Sequence, residues 1–261
     1  MTYWKTIARS CRGIAHEQQG LPCQDAADCR VLPNGVVVGA VADGAGSARL
    51  SDVGAQRSVD LVLQGLSLIV QEFEQRHPGK VFPVLSESVA RQVFTQLHHC
   101  LMAELAMIAQ AHQCEVKDLA CTLLAFLATP QGLAAMQIGD GFMVVRLPDD
   151  AYGLVFEPDK GEYSNETTFV TSTDAVEAMQ VRVLAETPVF VCLASDGLER
   201  VALRVRDWLP YPPFFQPLEE YLSETDAAEP PPDYLEAFLA SAQLNARTSD
   251  DKTLLLAQLV R

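Results

Sequence analysis

Two long segments in the first half of the chain carry apolar residues at helical spacing. Between Ser51 and His77 the apolar side chains recur about every 3.6 residues, and a second stripe of the same kind begins near Ser86. The sequence His77-Pro78-Gly79 would end the first helix, because proline and glycine interrupt helical hydrogen bonding. The pattern therefore predicts two long amphipathic helices, each with one buried face.

Shorter apolar runs predict strands. Two of the connections between them, 130–132 and 139–141, are too short for the crossovers that parallel strands need, so they predict antiparallel hairpins. A polar loop running to Asp25 follows the first strand, and short helices are predicted around 215–223 and from Asp233. The predicted strands are 2–9, 35–42, 121–129, 132–138, 141–147, 152–156, 167–170, 180–184, 188–194 and 253–259.

The order of these elements favours an α+β fold. Two long helices lie among at least eight predicted strands, and the middle strands have no helices between them. That order excludes a doubly wound parallel sheet, in which helices alternate with strands. Because the chain has no internal repeat and no clear linker, residues 1–261 are expected to form one domain.

The composition indicates a folded protein, and the charge limits its partners. Of the 261 residues, 49% are hydrophobic, and 34 acidic side chains stand against 19 basic ones. The net charge of −15 would repel a phosphate backbone, so nucleic acid is not an expected partner. No segment reaches the ~18 apolar residues of a membrane span, and the start shows no secretory signal. The seven cysteines form no C-x-x-C pair, so a zinc site is not expected. Taken together, these features lead us to expect a cytoplasmic protein that does not bind membranes.

Four aspartates lie where apolar runs begin or end. Asp43 and Asp196 each follow a run and precede a glycine. Asp140 lies between two glycines, and Asp250 comes shortly before the last run. Each position alone is explained at least as well by a simple turn. If the four ends converge, however, they form the oxygen-rich pocket that hard divalent cations prefer, which predicts a metal-dependent hydrolase.

Six short motifs occur in the order of a known family. Together they resemble the metal-dependent protein phosphatases of the PP2C (PPM) type, from about residue 8 to residue 259, and the segment 161–167 is similar to a compact bacterial branch. The resemblance implies a four-layer αββα sandwich, in which two packed antiparallel β-sheets are flanked by helices. The motifs are Gln24-Asp25-Ala26, Ala42-Asp43-Gly44-Ala45-Gly46, Cys121-Thr122, Ile138-Gly139-Asp140, Ala194-Ser195-Asp196-Gly197 and Asp250-Asp251-Lys252-Thr253.

The resemblance also implies a set of metal ligands. Asp43 would bridge two metal ions, and the carbonyl group of Gly44 would bind one of them. Asp196 and Asp250 would complete the protein ligands of the first ion. Because all of these ligands are oxygens, Mg²⁺ or Mn²⁺ is the expected ion.

Two further aspartates have implied roles in the same site. Asp25 would lie behind the ligands and hold a water molecule, and Asp140 together with Asp196 would bind a third, weaker ion. The implied reaction is hydrolysis of a phosphoserine or phosphothreonine ester by a water molecule activated between the ions, without a covalent enzyme intermediate. The expected partner is a phosphorylated protein, with a partner kinase or that kinase's target as candidates.

The chain departs from the family pattern where the substrate phosphate would bind. Many members carry an arginine five residues before the position of Asp25, and this chain has Gly20 there. His16, in the same loop, is either a phosphate contact or proton donor, or a histidine that only fixes the loop backbone. Ala45 stands where animal members often have a histidine, so the acid for the leaving group stays unassigned.

These departures leave two functions open on the same fold. One is an active phosphatase, and the other is a non-catalytic phosphoprotein-binding module, or pseudophosphatase. The presence of every implied metal-ligand aspartate favours the enzyme. A different metal hydrolase, such as a nuclease, is disfavoured because the chain is acidic and has no basic stripe. The loop 157–180 and the proline-rich stretch 210–232 are candidates for substrate or partner contact, or ordinary surface loops.

Overall fold

The computed structural model describes residues 3–148, 151–156, 167–204, 206–224 and 232–260. Its strands are β1 Tyr3–Cys11, β2 Ala26–Leu32, β3 Val36–Ala42, β4 Leu123–Thr129, β5 Gly132–Ile138, β6 Phe142–Arg146, β7 Tyr152–Leu154, β8 Gln180–Leu184, β9 Phe190–Ala194, β10 Leu203–Arg204, β11 Leu209–Pro210 and β12 Lys252–Val260. Its helices are α1 Ile14–Gln19, α2 Ser51–Arg76, α3 Glu87–Ala111, α4 Ala175–Ala178, α5 Glu199–Ala202, α6 Pro212–Glu224, α7 Pro232–Leu239 and α8 Ala242–Asn245.

Ten of these strands form two five-stranded antiparallel sheets, and β10 and β11 form a separate two-stranded ribbon. Sheet I has the order β1-β12-β9-β6-β7, and sheet II has the order β2-β3-β4-β5-β8. The facing sides of the two sheets share one apolar core, which includes Trp4, Phe126 and Leu255. Strands such as β3 and β9 are therefore buried on both faces, which explains why their sequences are continuous apolar runs rather than alternating ones.

Helices cover the outer face of each sheet. Leu63 and Leu66 of α2 pack with Leu127 on the outer side of sheet II, in a core that α3 also joins. On sheet I, Phe215 of α6 and Leu239 of α7 belong to a second outer core. The four layers confirm the predicted αββα sandwich. Both long helices begin where the sequence predicted, and the first also ends at the predicted position, before His77. None of the described helices has the length and apolar character to cross a bilayer.

The connection 139–141 is not a hairpin, so that prediction was wrong. The strand before it, β5, pairs with β4 and β8 in sheet II, whereas the strand after it, β6, pairs with β9 and β7 in sheet I. Gly139 has φ of +102°, a conformation that favours glycine and lets the chain leave one sheet for the other. The connection 130–132 does form the predicted hairpin between β4 and β5.

The predicted strand at 167–170 was also wrong, because this segment forms a loop in which Val170 alone is fully buried. The Val170 N–H donates to the Cys121 carbonyl at 2.8 Å, and the Val170 carbonyl accepts from His98 Nε2 at 2.8 Å. Conversely, β2 was not predicted, because it is an edge strand with mixed burial. Most of the segment that carried the likeness to a bacterial branch, 161–166, lies outside the described residues.

Candidate metal centre

The pairing of β2 with β3 places Asp25 beside Asp43. Ala26 is paired with Ala42 in this antiparallel ladder, so the two aspartates come next at the same end of the sheet. Burial raises the pKa of Asp43 well above its usual range, and the charges of Asp25 and Asp196 raise it further. A carboxylate whose pKa rises in this way has acidic neighbours close by and too little solvent to screen them.

Asp43 is held at the strand end by Thr122. The Asp43 N–H donates to Thr122 Oγ1 at 3.0 Å, and the Asp43 carbonyl accepts from the Thr122 N–H at 2.8 Å. The next residue, Gly44, donates its N–H to the Gln24 carbonyl at 3.1 Å, and a Cβ atom at position 44 would lie only 2.6 Å from the same oxygen. Position 44 therefore requires glycine because two backbone segments meet there.

The pairing of β9 with β12 brings Asp196 close to Asp250. Ala194 is paired with Leu254, and the Ser195 hydroxyl accepts from the Thr253 N–H at 3.1 Å. Asp196 begins a single 3-10 turn directly after β9, and Asp250 lies just before β12. The two strands thus deliver their aspartates to one end of sheet I.

Asp140 lies at the crossing between the sheets, near Asp196. Phe142 is paired with Ala194, which aligns the preceding loop with the end of β9. Asp140 is exposed and accepts a hydrogen bond from Thr167 Oγ1 at 2.5 Å. Burial raises the pKa of Asp196, and the charge of Asp140 is the next largest cause. Asp140 is therefore within electrostatic reach of the cluster, at its outer edge.

The donor set fits a hard divalent cation. Asp25 Oδ2 and Asp196 Oδ1 are buried and have no hydrogen-bond partner among the described residues. Burial raises the pKa of Asp25 to about 7, and the charges of Asp251 and Asp196 raise it further. Hydrogen bonds with the Ser195 and Thr253 hydroxyls act in the opposite direction and lower it. Buried carboxylate oxygens are normally hydrogen-bonded, paired with a cation or bound to a metal.

The carboxylates share one region without forming a finished coordination shell. In the part of the chain that the structure describes, no three Asp, Glu, His or Cys side chains are arranged to hold one ion together. Like charges at short range repel, so a cluster of carboxylates resists closing on itself.

Sequence reasoning missed the structural importance of Asp251. This buried side chain accepts from the Gly13 N–H through Oδ1 and from the Gln24 N–H through Oδ2, both at 2.6 Å. His16 Nδ1 lies 3.0 Å from Asp251 Oδ2, an ion-pair distance without the alignment of a hydrogen bond. The contact supports the alternative in which His16 fixes the loop. The only sequence signal for Asp251 was the doubled aspartate at 250–251.

A second acidic residue outside the predicted set, Glu199, lies beside the cluster. Burial raises the pKa of Glu199, and the charges of Asp196 and Asp140 raise it further. No signal in the sequence distinguished this glutamate from an ordinary residue at the start of a helix.

Comparisons with known proteins agree with this geometry. A family model described as Protein phosphatase 2C matches residues 12–240. Serine/threonine-protein phosphatase 3 of Escherichia coli (strain K12) is 34% identical over 260 residues, covering 97% of this chain and 98% of that protein.

Two solved structures share the fold at low sequence identity. PppA, a regulatory component of T6SS in Pseudomonas aeruginosa, has a TM-score of 0.60 at 18% identity, with all of both chains covered. The catalytic domain of the serine/threonine protein phosphatase PstP, in complex with two manganese ions, has a TM-score of 0.56 at 16% identity, also over both full chains. The family match, the relative at 34% identity and the shared fold together show that the chain belongs to the protein phosphatase 2C family.

Proposed function

We propose that this chain is a metal-dependent phosphatase that removes phosphate from phosphoserine and phosphothreonine in proteins. The observation that supports it most strongly is the convergence of Asp43, Asp25 and Asp196, with two buried oxygens that lack a hydrogen-bond partner among the described residues. The family and the relative named Serine/threonine-protein phosphatase 3 support the same activity. The physiological partner would be a phosphorylated protein, with a kinase or its target as candidates.

The proposed ligands of two metal ions are Asp43, the Gly44 carbonyl, Asp196 and Asp250. Asp140, exposed at the edge of the cluster, is proposed for a third ion. Related folds have been solved with two manganese ions and with magnesium, which supports Mg²⁺ or Mn²⁺ as the cofactor. The oxygen-only donor set suits either ion.

In the proposed mechanism, the metal ions and the side chains of the protein have different roles. When bound, the ions would lower the pKa of water to give a nucleophile and would neutralise charge on the phosphoryl oxygens. The chain would hold the reacting groups in line, because Asp43 and Asp196 extend from rigid, doubly buried strands. Asp25, beside Asp43, would accept a hydrogen bond from the attacking water and hold its orientation.

A phosphatase assay tests the proposal. We expect Mn²⁺-dependent hydrolysis of p-nitrophenyl phosphate that EDTA abolishes, and hydrolysis of phosphoserine and phosphothreonine peptides in preference to phosphotyrosine peptides. Asp43→Asn and Asp196→Asn should each remove nearly all turnover while the protein stays folded by circular dichroism. Ordinary activity in either variant would refute the assignment of these ligands.

The alternative is a phosphoprotein-binding module without catalysis. It is favoured by Gly20, which replaces the expected phosphate-binding arginine, and by His16, whose contact is with Asp251. Under this alternative the protein would bind Mn²⁺ and phosphopeptides but turn over neither p-nitrophenyl phosphate nor any peptide. Measurable Mn²⁺-dependent turnover that Asp43→Asn removes would exclude it.

A further inference from the structure

An apolar groove lies between the short helix α5 and the helices α6, α7 and α8. Its volume is about 460 Å³, in the range of sites that accommodate a small ligand or a few side chains. Its walls include Leu203, Phe214, Leu218, Phe238 and Leu244, all buried or half-buried. The rings of Phe214 and Phe238 lie 5.9 Å apart and form part of the apolar lining.

Large aromatic side chains remain exposed at this groove. Tyr211 is 46% exposed and Tyr234 is 45% exposed, and both belong to its lining. Tyrosine is enriched at protein-binding surfaces because it buries a large apolar area and keeps a hydroxyl for hydrogen bonding. The groove therefore has the character of a contact surface for another polypeptide.

The charge around the groove is opposite to that of the rest of the chain. Three exposed arginines, Arg200, Arg204 and Arg247, line it, and no described lining residue is acidic. The chain as a whole carries a net charge of −15. Arg204 also pairs with Asp207 at 3.3 Å, and Arg200 lies beside Glu199, whose charge it partly offsets. Among the described residues, Arg247 is therefore the lining arginine without an acidic partner. An acidic partner complements this surface, and a basic partner would be repelled.

Two arginines of the groove lie close along the chain to aspartates of the candidate metal centre. Arg200 lies four residues after Asp196, so their Cα atoms are at most about 14 Å apart. Arg247 lies three residues before Asp250, so their Cα atoms are at most about 11 Å apart. A phosphorylated side chain bound at the aspartate cluster would thus place its flanking residues within reach of the groove.

We infer that this groove binds the part of a phosphoprotein substrate that flanks the phosphorylated residue, and that it selects acidic segments with an apolar anchor. The arginines would pair with aspartate or glutamate in the substrate, and the aromatic floor would bury a leucine or phenylalanine. The inference rests on the proposed function and names the class of substrate that the same site would take.

Matched phosphothreonine peptides test this inference. One peptide carries Asp and Glu with a single Leu around the phosphothreonine, and the other carries Lys in place of each acid. We expect the wild-type protein to show a kcat/KM at least fivefold higher for the acidic peptide, an advantage that shrinks as ionic strength rises. Replacing the Leu by Ser should lower kcat/KM for the acidic peptide through a higher KM.

Charge reversal identifies the surface responsible. Arg247→Glu should lower the ratio of kcat/KM for the acidic peptide to kcat/KM for the basic peptide by about fivefold or more. Arg247→Gln removes the charge without reversing it, so its effect on the logarithm of this ratio should be about half as large. The ratio is measured within one preparation, so a partly unfolded variant does not distort it. Arg182→Glu is the matched control: this exposed arginine lies on β8 in sheet II, and the ratio should equal that of the wild type.

Binding and turnover separate this inference from the proposed function. The same peptides, labelled with a fluorophore, are also titrated with protein by fluorescence anisotropy, which requires no catalysis. Preferential binding of the acidic peptide that Arg247→Glu removes, without turnover of any substrate, would support the groove and refute the phosphatase. Turnover of both peptides with an unchanged ratio in Arg247→Glu would overturn the groove alone. Concentration-dependent dimerisation that Arg247→Glu abolishes, with no peptide preference, would also overturn it and assign the surface to a second copy.

Discussion

A methyl group at position 197 should separate two of the proposed metal ligands. Gly197 follows Asp196, and a Cβ atom there would lie 2.0 Å from the carbonyl oxygen of Asp251 and 3.6 Å from the Cβ of Asp250. The clash is with backbone, which cannot rotate away. Gly197→Ala therefore forces the turn after β9 and the segment before β12 apart.

The size of the effect follows from the contact distance. Real Cβ atoms essentially never come within 3.0 Å of another heavy atom, so the two segments must separate by about 1 Å. Overpacking of this kind costs about 1–3 kcal/mol of stability. A displacement of about 1 Å between reacting groups can lower the rate by about 100-fold. We therefore expect a modest loss of stability together with a large loss of turnover.

The assay compares two glycine-to-alanine variants. Gly132→Ala is the control, because its Cβ would lie 2.3 Å from the Leu184 carbonyl oxygen, at the end of β5 far from Asp140. Urea denaturation gives the stability of both variants, and Mn²⁺-dependent hydrolysis of p-nitrophenyl phosphate gives their activity per folded molecule. Both should be destabilised, but only Gly197→Ala should lose most of its turnover. Full activity in Gly197→Ala, or an equal loss in both variants, would refute the reasoning.

Two further predictions concern Asp25 and His16. In EDTA-treated protein, the free energy of unfolding should fall as pH rises from about 4 to 7, because folded Asp25 keeps its proton up to about pH 7 while the unfolded chain loses it near 3.8. Asp25 contributes at most about 1.4 kcal/mol per pH unit to this slope. An unchanged slope in Asp25→Asn, measured by urea denaturation at each pH, would contradict this origin. His16→Ala should cost up to about 1 kcal/mol of stability by removing the close contact with Asp251, while the pH profile of kcat/KM on a phosphothreonine peptide keeps its shape. Loss of one limb of that profile would instead identify His16 as a proton donor.

The elements that place Asp43 and Asp196 were predictable from the sequence. Both residues follow strands buried on two faces, and each strand is a continuous apolar run that ends within two residues of an Asp-Gly pair. The helix α2 was equally clear, because its buried residues keep a helical period from Ser51 onwards.

The crossing at Asp140 could not be read from local pattern. A hairpin and a passage between two packed sheets give the same sequence, two apolar runs joined by a short glycine-rich link. The choice depends on distant partners, since β6 pairs with β9 and β5 pairs with β8. Tertiary strand pairing therefore determines whether this glycine-rich link is a hairpin or a crossing, which the turn residues alone do not.

The structural role of Asp251 could not be predicted from the sequence for a related reason. Its two hydrogen bonds reach Gly13 and Gln24, which lie 238 and 227 residues away along the chain. Nothing near Asp251 in the sequence indicates these partners. The groove could not be predicted from the sequence either. Its lining residues are spread from Arg200 to Arg247 and come together only when the four helices α5 to α8 pack.

Calorimetric titration of Mn²⁺ into the wild-type protein and Asp43→Asn tests the central claim most directly. Asp43 is the proposed bridge between two ions, and the asparagine keeps its shape while removing its charge. We predict that the wild type binds at least two ions and that Asp43→Asn loses most of this binding while remaining folded. Equal Mn²⁺ binding by the two proteins would contradict the assignment of Asp43 as the centre of the metal site.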